Sequence, residues 1–137
     1  MDIRVPALGS QDWLELRDAR PADELSLYRA MLRVQVDGRV HHRPFWFDRG
    51  DLDEFAHDLA WLDKSVGGSA TLNHAGRPEY VTVVIEAGGR AIITGELFDF
   101  DDADEHVRFS LPQNRAGLRE LLRDVRALLD DGGAPPR

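Results

Sequence analysis

Cysteine is absent from this chain of 137 residues, and lysine is almost absent. Without cysteine the chain has no disulfide, no thiolate metal ligand and no thiol nucleophile. Lys64 is the single lysine, so arginine carries nearly all of the positive charge. No apolar run approaches the ~20 residues that cross a bilayer. The first six residues, MDIRVP, lack the apolar core of a signal peptide. We therefore expect a cytoplasmic protein with no membrane partner.

Negative charge is in excess. The chain has 25 acidic and 17 basic residues, a formal net charge of −8 and 42% hydrophobic residues. This excess repels phosphate backbones and anionic lipid, so we expect no nucleic-acid partner. The length and apolar fraction fit one domain with one core. We assign residues 1–10 to a tail, 11–130 to the domain and 131–137 to a second, disordered tail.

Alternating apolar and polar residues predict seven strands. The least certain segment is 25–36, because Leu25–Leu32 also suits a helix that follows Pro21. Asp37-Gly38 after this segment predicts a hairpin, which favours a strand. Pro44 in the return strand predicts an edge position or a bulge. The predicted strands cover residues 13–17, 25–36, 39–47, 70–72, 80–86, 90–94 and 107–111.

Two amphipathic helices complete the pattern. The first covers about residues 51–64, with Asp48 as N-cap and apolar residues at helical spacing. The second begins after Asn114, has a leucine-rich stripe and stops at Gly132. The order β-β-β-α-β-β-β-β-α predicts an α+β domain of two layers. We expect a mainly antiparallel sheet with both helices packed on one face.

The residues suggest no catalytic constellation. His41 and His42 are adjacent in a strand and therefore point to opposite faces. Asp99-Phe100-Asp101 begins like a calcium loop, but Asp104 stands where that loop requires glycine. No serine lies in a Gly-x-Ser-x-Gly motif. We assign no catalytic residue, no cofactor and no metal site.

Two acidic clusters and one aromatic residue remain as candidates for partner binding. The first cluster lies on the face of the first helix opposite its apolar stripe, and the second is a link between two strands that begins near Glu96. Either cluster is also explained by solubility alone. Trp46 alternates with Phe45 and Phe47, so it is the candidate for an exposed interface anchor. The assigned partner-binding residues are Asp51, Glu54, Asp58, Asp99, Asp101, Asp102, Asp104, Glu105 and Trp46.

Residues 47–129 resemble the WapI-type immunity proteins, which are small bacterial antitoxins paired with wall-associated toxins. The resemblance lies in the acidic helix DLDEFAHDLAWL, the strands EYVTVVIEAGGRAIITGELFD and HVRFSLP, and the closing helix LRELLRDVRALL. It implies a protein that neutralises a toxin, and it brings no catalytic residue with it.

We therefore expect an immunity or antitoxin-like protein that occludes a basic toxin domain through its acidic surface. The alternative is a small-ligand-binding protein or hydrolase with a site on the open sheet face, near His41, Arg43, His106 and Arg108. A third alternative is a structural subunit that forms a homodimer through Trp46 and its strand.

Overall fold

The computed structural model describes residues 1–22, 26–98 and 106–133. Eight strands and two helices follow one another along the chain. Their bounds are β1 Ile3–Pro6, β2 Trp13–Pro21, β3 Leu27–Val36, β4 Arg39–Asp48, α1 Arg49–Leu62, β5 Gly68–Asn73, β6 Tyr80–Ile85, β7 Ala91–Phe98, β8 His106–Gln113 and α2 Arg115–Gly133.

The strands form two antiparallel sheets, each in the order of the chain. Sheet A contains β1-β2-β3-β4 and sheet B contains β5-β6-β7-β8. Short connections between neighbouring strands favour this arrangement. In the β3–β4 hairpin Val36 pairs with Arg39. The two residues between them, Asp37 and Gly38, both have positive φ, as a type I′ turn requires.

The predicted class, an antiparallel α+β fold, is confirmed. The prediction of one sheet differs from the structure, which has two sheets of four strands. The tail assigned to residues 1–10 is wrong, because β1 pairs with β2 and buries Ile3 and Val5. Leu27–Val36 is a strand, and Pro44 lies in β4 at the edge of sheet A, as predicted. The predicted stop of the second helix at Gly132 and the start of the second tail at residue 131 are also wrong, because α2 continues to Gly133. Residues 134–137 lie outside the described residues.

Both sheets and both helices share one hydrophobic core. A cavity of about 20 Å³ marks the place where they meet. Its lining comes from four components: Ile3, Val5, Leu14 and Leu16 of sheet A, Leu72, Val81 and Ile93 of sheet B, Phe55 of α1, and Leu121 of α2. Each sheet therefore has one buried face, and most of its polar side chains lie on the other face; His41 and Arg43 of β4 are exceptions on the inner side of sheet A.

Hydrogen bonds join the edges of the two sheets. On one side Leu8 N donates to Pro112 O over 3.0 Å. On the other side Ala75 N donates to Trp46 O over 2.7 Å. The second bond fixes the position of β4, and with it the backbone that leads into α1.

Gly95 in β7 allows two groups to approach closely. It pairs with Phe109 in β8, whose ring covers it. A Cβ at this position would lie 2.5 Å from Phe109 Cζ and would also clash with the backbone oxygen of Tyr80. The glycine is required for steric reasons, since the backbone oxygen cannot move aside.

We predict that Gly95→Ala lowers the free energy of unfolding by about 1–3 kcal/mol, the usual range for overpacking. Gly67→Ala is the matched control, because its Cβ would meet only Ile85 O, at an ordinary 3.8 Å. Urea denaturation measures both variants. Equal stability of the two variants would contradict the prediction.

Candidate functional site

Helix α1 begins at a side-chain cap and buries one face. The Asp48 carboxylate accepts a hydrogen bond from Gly50 N over 2.7 Å, which satisfies one of the free amides of the first turn. The buried residues are Leu52, Phe55, Ala56, Leu59 and Leu62, as the sequence predicts. Because this face is fixed against the core, the remaining faces of the helix are fixed as well.

One side of α1 has three carboxylates and a tryptophan in line, which we call the acidic stripe: Asp51, Glu54, Asp58 and Trp61. The spacing of three, four and three residues places them on one side of the helix. Glu54 is exposed, whereas Asp51 and Asp58 are half-buried. The two aspartates therefore flank the apolar face, whereas the sequence predicts that they oppose it.

Trp61 is the most exposed aromatic side chain among the described residues, with 61% of its surface accessible. Its ring packs on Gly68, where an added Cβ would lie 2.8 Å from Trp61 Cζ3. Val66, in the link that follows α1, is 87% exposed. The stripe thus ends in an apolar patch, which is the usual composition of an interface core beside a charged rim.

The C-terminal end of α1 is fastened by Arg115, the first residue of α2. Its guanidinium donates to Leu62 O over 3.1 Å, to Asp63 O over 2.8 Å and to Ser65 O over 2.6 Å. A cation at this end also complements the helix dipole. Arg119 adds an ion pair to Asp63 over 2.9 Å. Arg115 therefore positions the helix turn that carries Trp61.

Trp46 does not join the acidic stripe, contrary to the prediction that grouped them. It lies on the outer face of sheet A and is 37% exposed. Its register partner is Arg29, and Arg29 in turn pairs with Arg20. The surroundings of Trp46 are therefore basic. The other predicted cluster, Asp99, Asp101, Asp102, Asp104 and Glu105, lies outside the described residues.

A second cluster occupies the outer face of sheet B, around Glu96. Tyr80 Oη donates to Glu96 Oε1 over 2.9 Å, and His106 Nε2 donates to Glu96 Oε2 over 2.6 Å. Arg108 lies 3.7 Å from Oε1. The His106 ring also stacks on Phe98 at 4.6 Å. Glu96 belongs to strand β7, whereas the sequence analysis places it in the acidic link.

This network changes the pKa values of two groups. The hydrogen bonds from Tyr80 and His106 hold the pKa of Glu96 below its ordinary value of 4.5. The same bond to Glu96 raises the pKa of the Tyr80 hydroxyl above 10.0. Both shifts follow from stabilisation of the carboxylate by donors.

The four residues of the alternative site do not share a sheet face. His41 and Arg43 pair with Val34 and Leu32, so they lie on the inner side of sheet A. His106 and Arg108 lie on the outer face of sheet B. Of the four, the latter two form the network with Glu96.

Sequence reasoning missed Trp61 and the basic face around Trp46. Trp61 had a signal, since it is three residues after Asp58 on the same helix. The basic face had none, because its arginines come from β2 and β3 and meet only through the register of the strands.

Among the residues in the described ranges, no group of three histidine, aspartate or glutamate side chains is placed to hold a metal ion. Neither α1 nor α2 combines the length and the apolarity needed to cross a bilayer. The chain matches no protein-family model, no curated protein and no solved structure. The resemblance to WapI-type immunity proteins stays a prediction.

We predict that Tyr80→Phe raises the pKa of Glu96, because it removes the hydrogen bond that contributes most to the shift. The pKa of Glu96 is lower in the folded state, so the carboxylate stabilises the fold above the unfolded pKa. This contribution is lost as the pH falls through the folded value. The wild type should therefore lose more stability below pH ~4.5 than Tyr80→Phe does.

Carbon-13 NMR titration of the Glu96 carboxyl measures the pKa, and urea denaturation between pH 7 and pH 3 measures the stability. Thr82→Val, on the same face one pair of residues away, is the control. An unchanged Glu96 pKa in Tyr80→Phe would contradict the assignment.

We also predict that Arg115→Met destabilises the protein by about 1.5–3 kcal/mol, the usual value for hydrogen bonds from a charged donor. The control is Arg119→Met, which loses only the exposed pair to Asp63 and should cost less than about 1 kcal/mol. Thermal unfolding measures both. Hydrogen exchange in residues 59–65 should accelerate in Arg115→Met alone, and equal exchange in both variants would contradict the role given to Arg115.

Proposed function

We propose that this protein is a cytoplasmic immunity protein, or antitoxin, that binds and occludes a basic toxin domain through the acidic stripe. The observation that carries the proposal is the exposed Trp61 in line with three carboxylates on α1, a helix whose opposite face is buried in the core.

Tryptophan is a frequent centre of binding energy in interfaces, because it buries a large rigid surface at little cost in entropy. The 61% exposure of Trp61 leaves most of this surface for a partner. Its packing on Gly68 holds the ring in place before binding. A preorganised anchor of this kind lowers the entropy lost on association.

The carboxylates of the acidic stripe increase the rate of association and orient the partner. Like charges three or four residues apart on a helix destabilise it by about 0.2–0.5 kcal/mol per pair. A cationic partner relieves this repulsion and gains attraction in its place. Toxin domains that attack nucleic acid have basic clefts, and complementary charge speeds the association of such pairs at low salt.

The test is binding to the toxin domain encoded beside the gene, measured by biolayer interferometry. We expect Trp61→Ala to weaken binding by at least about 2 kcal/mol, mainly through faster dissociation. The variant with Asp51→Asn, Glu54→Gln and Asp58→Asn should associate at least about tenfold more slowly at low salt, and this difference should shrink as salt increases.

The matched control is the variant with Asp37→Asn, Glu86→Gln and Glu120→Gln. It removes three exposed carboxylates from other faces and leaves the same net charge. If both variants slow association equally, net charge is responsible and the acidic stripe is not the binding surface. No binding of the wild type at micromolar concentration and low salt would refute the proposal.

The alternative function, a small-ligand-binding protein or hydrolase, is supported by the Glu96 network. A carboxylate that orients an imidazole over 2.6 Å is an arrangement used in acid–base chemistry. The alternative predicts that a small ligand perturbs the NMR signals of His106 and Tyr80, whereas a protein partner perturbs α1.

A further inference from the structure

The outer face of sheet A is basic, although the chain as a whole is acidic. Arginines from three strands lie on it: Arg4 of β1, Arg17 and Arg20 of β2, and Arg29 and Arg33 of β3. Two of these arginines, Arg4 and Arg33, share the same partners: both lie against the Trp13 ring and form an ion pair with the Glu15 carboxylate. The other three arginines are exposed.

Those three surround a recess of about 360 Å³, which we call the arginine recess. Arg17 lies in register with Met31 and Pro44, and Arg20 lies in register with Arg29 and Trp46. Met31, Pro44 and Trp46 thus give the recess an apolar floor, and three guanidinium groups stand around it. The volume is within the range of small-ligand sites.

A β-bulge brings the arginines together. The register of β2 against β3 shifts between Arg17 and Arg20, so that both side chains lie on the outer face while Ala19 is buried. Asp18 adopts a positive φ of 54° at the bulge. The N-terminus holds this conformation: Asp18 N donates to Asp2 Oδ1 over 2.8 Å, and Ala19 N donates to Met1 O over 2.7 Å. Bulges often redirect side chains next to functional sites.

We propose that the arginine recess binds a nucleoside phosphate, with the phosphates on Arg17, Arg20 and Arg29 and the base on Trp46. A guanidinium group can donate two parallel hydrogen bonds to phosphate oxygens, and a tryptophan ring stacks on nucleobases. Among the described residues that line the recess, Asp18 is the one carboxylate, 3.7 Å from Arg20, and it stands against three arginines.

The negative net charge of the chain favours a small anionic ligand over a long one. A long polyanion extends beyond the recess and meets the repulsion of a chain with net charge −8. A free nucleotide stays within about 8 Å of the arginines, where screening at physiological salt hides the distant carboxylates. The favoured occupant is therefore a free nucleotide.

The experiment titrates the wild-type protein with ADP, adenosine, pyrophosphate and a ten-nucleotide thymidine strand, by calorimetry and tryptophan fluorescence. We expect ADP to bind and to quench fluorescence, with adenosine and pyrophosphate at least about tenfold weaker. Equal affinity for pyrophosphate and ADP would overturn the role of Trp46. Tighter binding of the strand than of ADP would overturn the free nucleotide as occupant.

Variants of the lining residues test the arginine recess, since some should weaken ADP binding and one should strengthen it. Arg29→Gln and Trp46→Ala should each weaken ADP binding about tenfold. Asp18→Asn should strengthen it about two- to fivefold, because it removes a like charge and asparagine tolerates positive φ. An Asp18→Asn variant that binds no more tightly than the wild type would count against the recess.

Arg39→Gln is the matched control. It removes an exposed arginine from the hairpin end of β4, about 23 Å along the strand from Trp46. It should bind ADP like the wild type, and weakening equal to that of Arg29→Gln would overturn the proposal in favour of net charge. Thermal unfolding confirms that each variant is folded. This site is separate from the acidic stripe, so failure of either proposal leaves the other intact.

Discussion

The common core of the two sheets is the constraint on which the other features of the molecule depend. Each sheet has one apolar face, and both of these faces meet α1 and α2 around the same small cavity. No strand can turn over without exposing its apolar residues, because side chains alternate along it. Most polar side chains of the strands and helices therefore lie on the two outer sheet faces and on the exposed sides of the helices, where they can act on a partner.

Helix α1 depends on this core and on two further contacts at its C-terminal end. Arg115 holds the last carbonyl groups, and Gly68 leaves room for the Trp61 ring. The Arg115 contact joins segments 52 residues apart, whereas Gly68 belongs to the strand that directly follows α1. The acidic stripe is therefore held rigidly by the fold, although each of its residues is a surface residue.

The sequence predicted what local patterns decide. The apolar stripes of both helices, the Asp48 and Asn114 caps and the Asp37-Gly38 turn each depend on residues within a few positions of one another. All strand pairs join consecutive strands, and the division into two sheets arises because β4 and β5, which are separated by α1, do not pair. No local pattern records whether two strands separated by a helix share a sheet. β1 was assigned to a tail because it has only four residues, and its partner lies beyond a turn.

The candidate surfaces were harder to predict for the same reason. The acidic stripe was predicted in part, since its three carboxylates share one helix, but the candidate aromatic anchor was Trp46 of a strand, and Trp61 was not considered. An exposed strand residue takes its surroundings from neighbouring strands, and those of Trp46 are arginines of β2 and β3. The composition of an outer sheet face can be predicted only once the pairing register of its strands is known.

The division of charge between the surfaces has a physical consequence for both proposals. A net charge of −8 describes the field at long range, where it attracts basic partners and repels long anions. Within a Debye length, local groups decide what binds. The acidic stripe acts at both ranges, because its charge has the sign of the whole chain. The arginine recess acts only at short range, against the field of the rest of the molecule. Rising salt should therefore weaken binding at both surfaces, because it screens the local charges. At the arginine recess, salt also screens the repulsion between the anionic ligand and the rest of the chain. The loss of affinity per decade of salt should therefore be smaller at the arginine recess than at the acidic stripe.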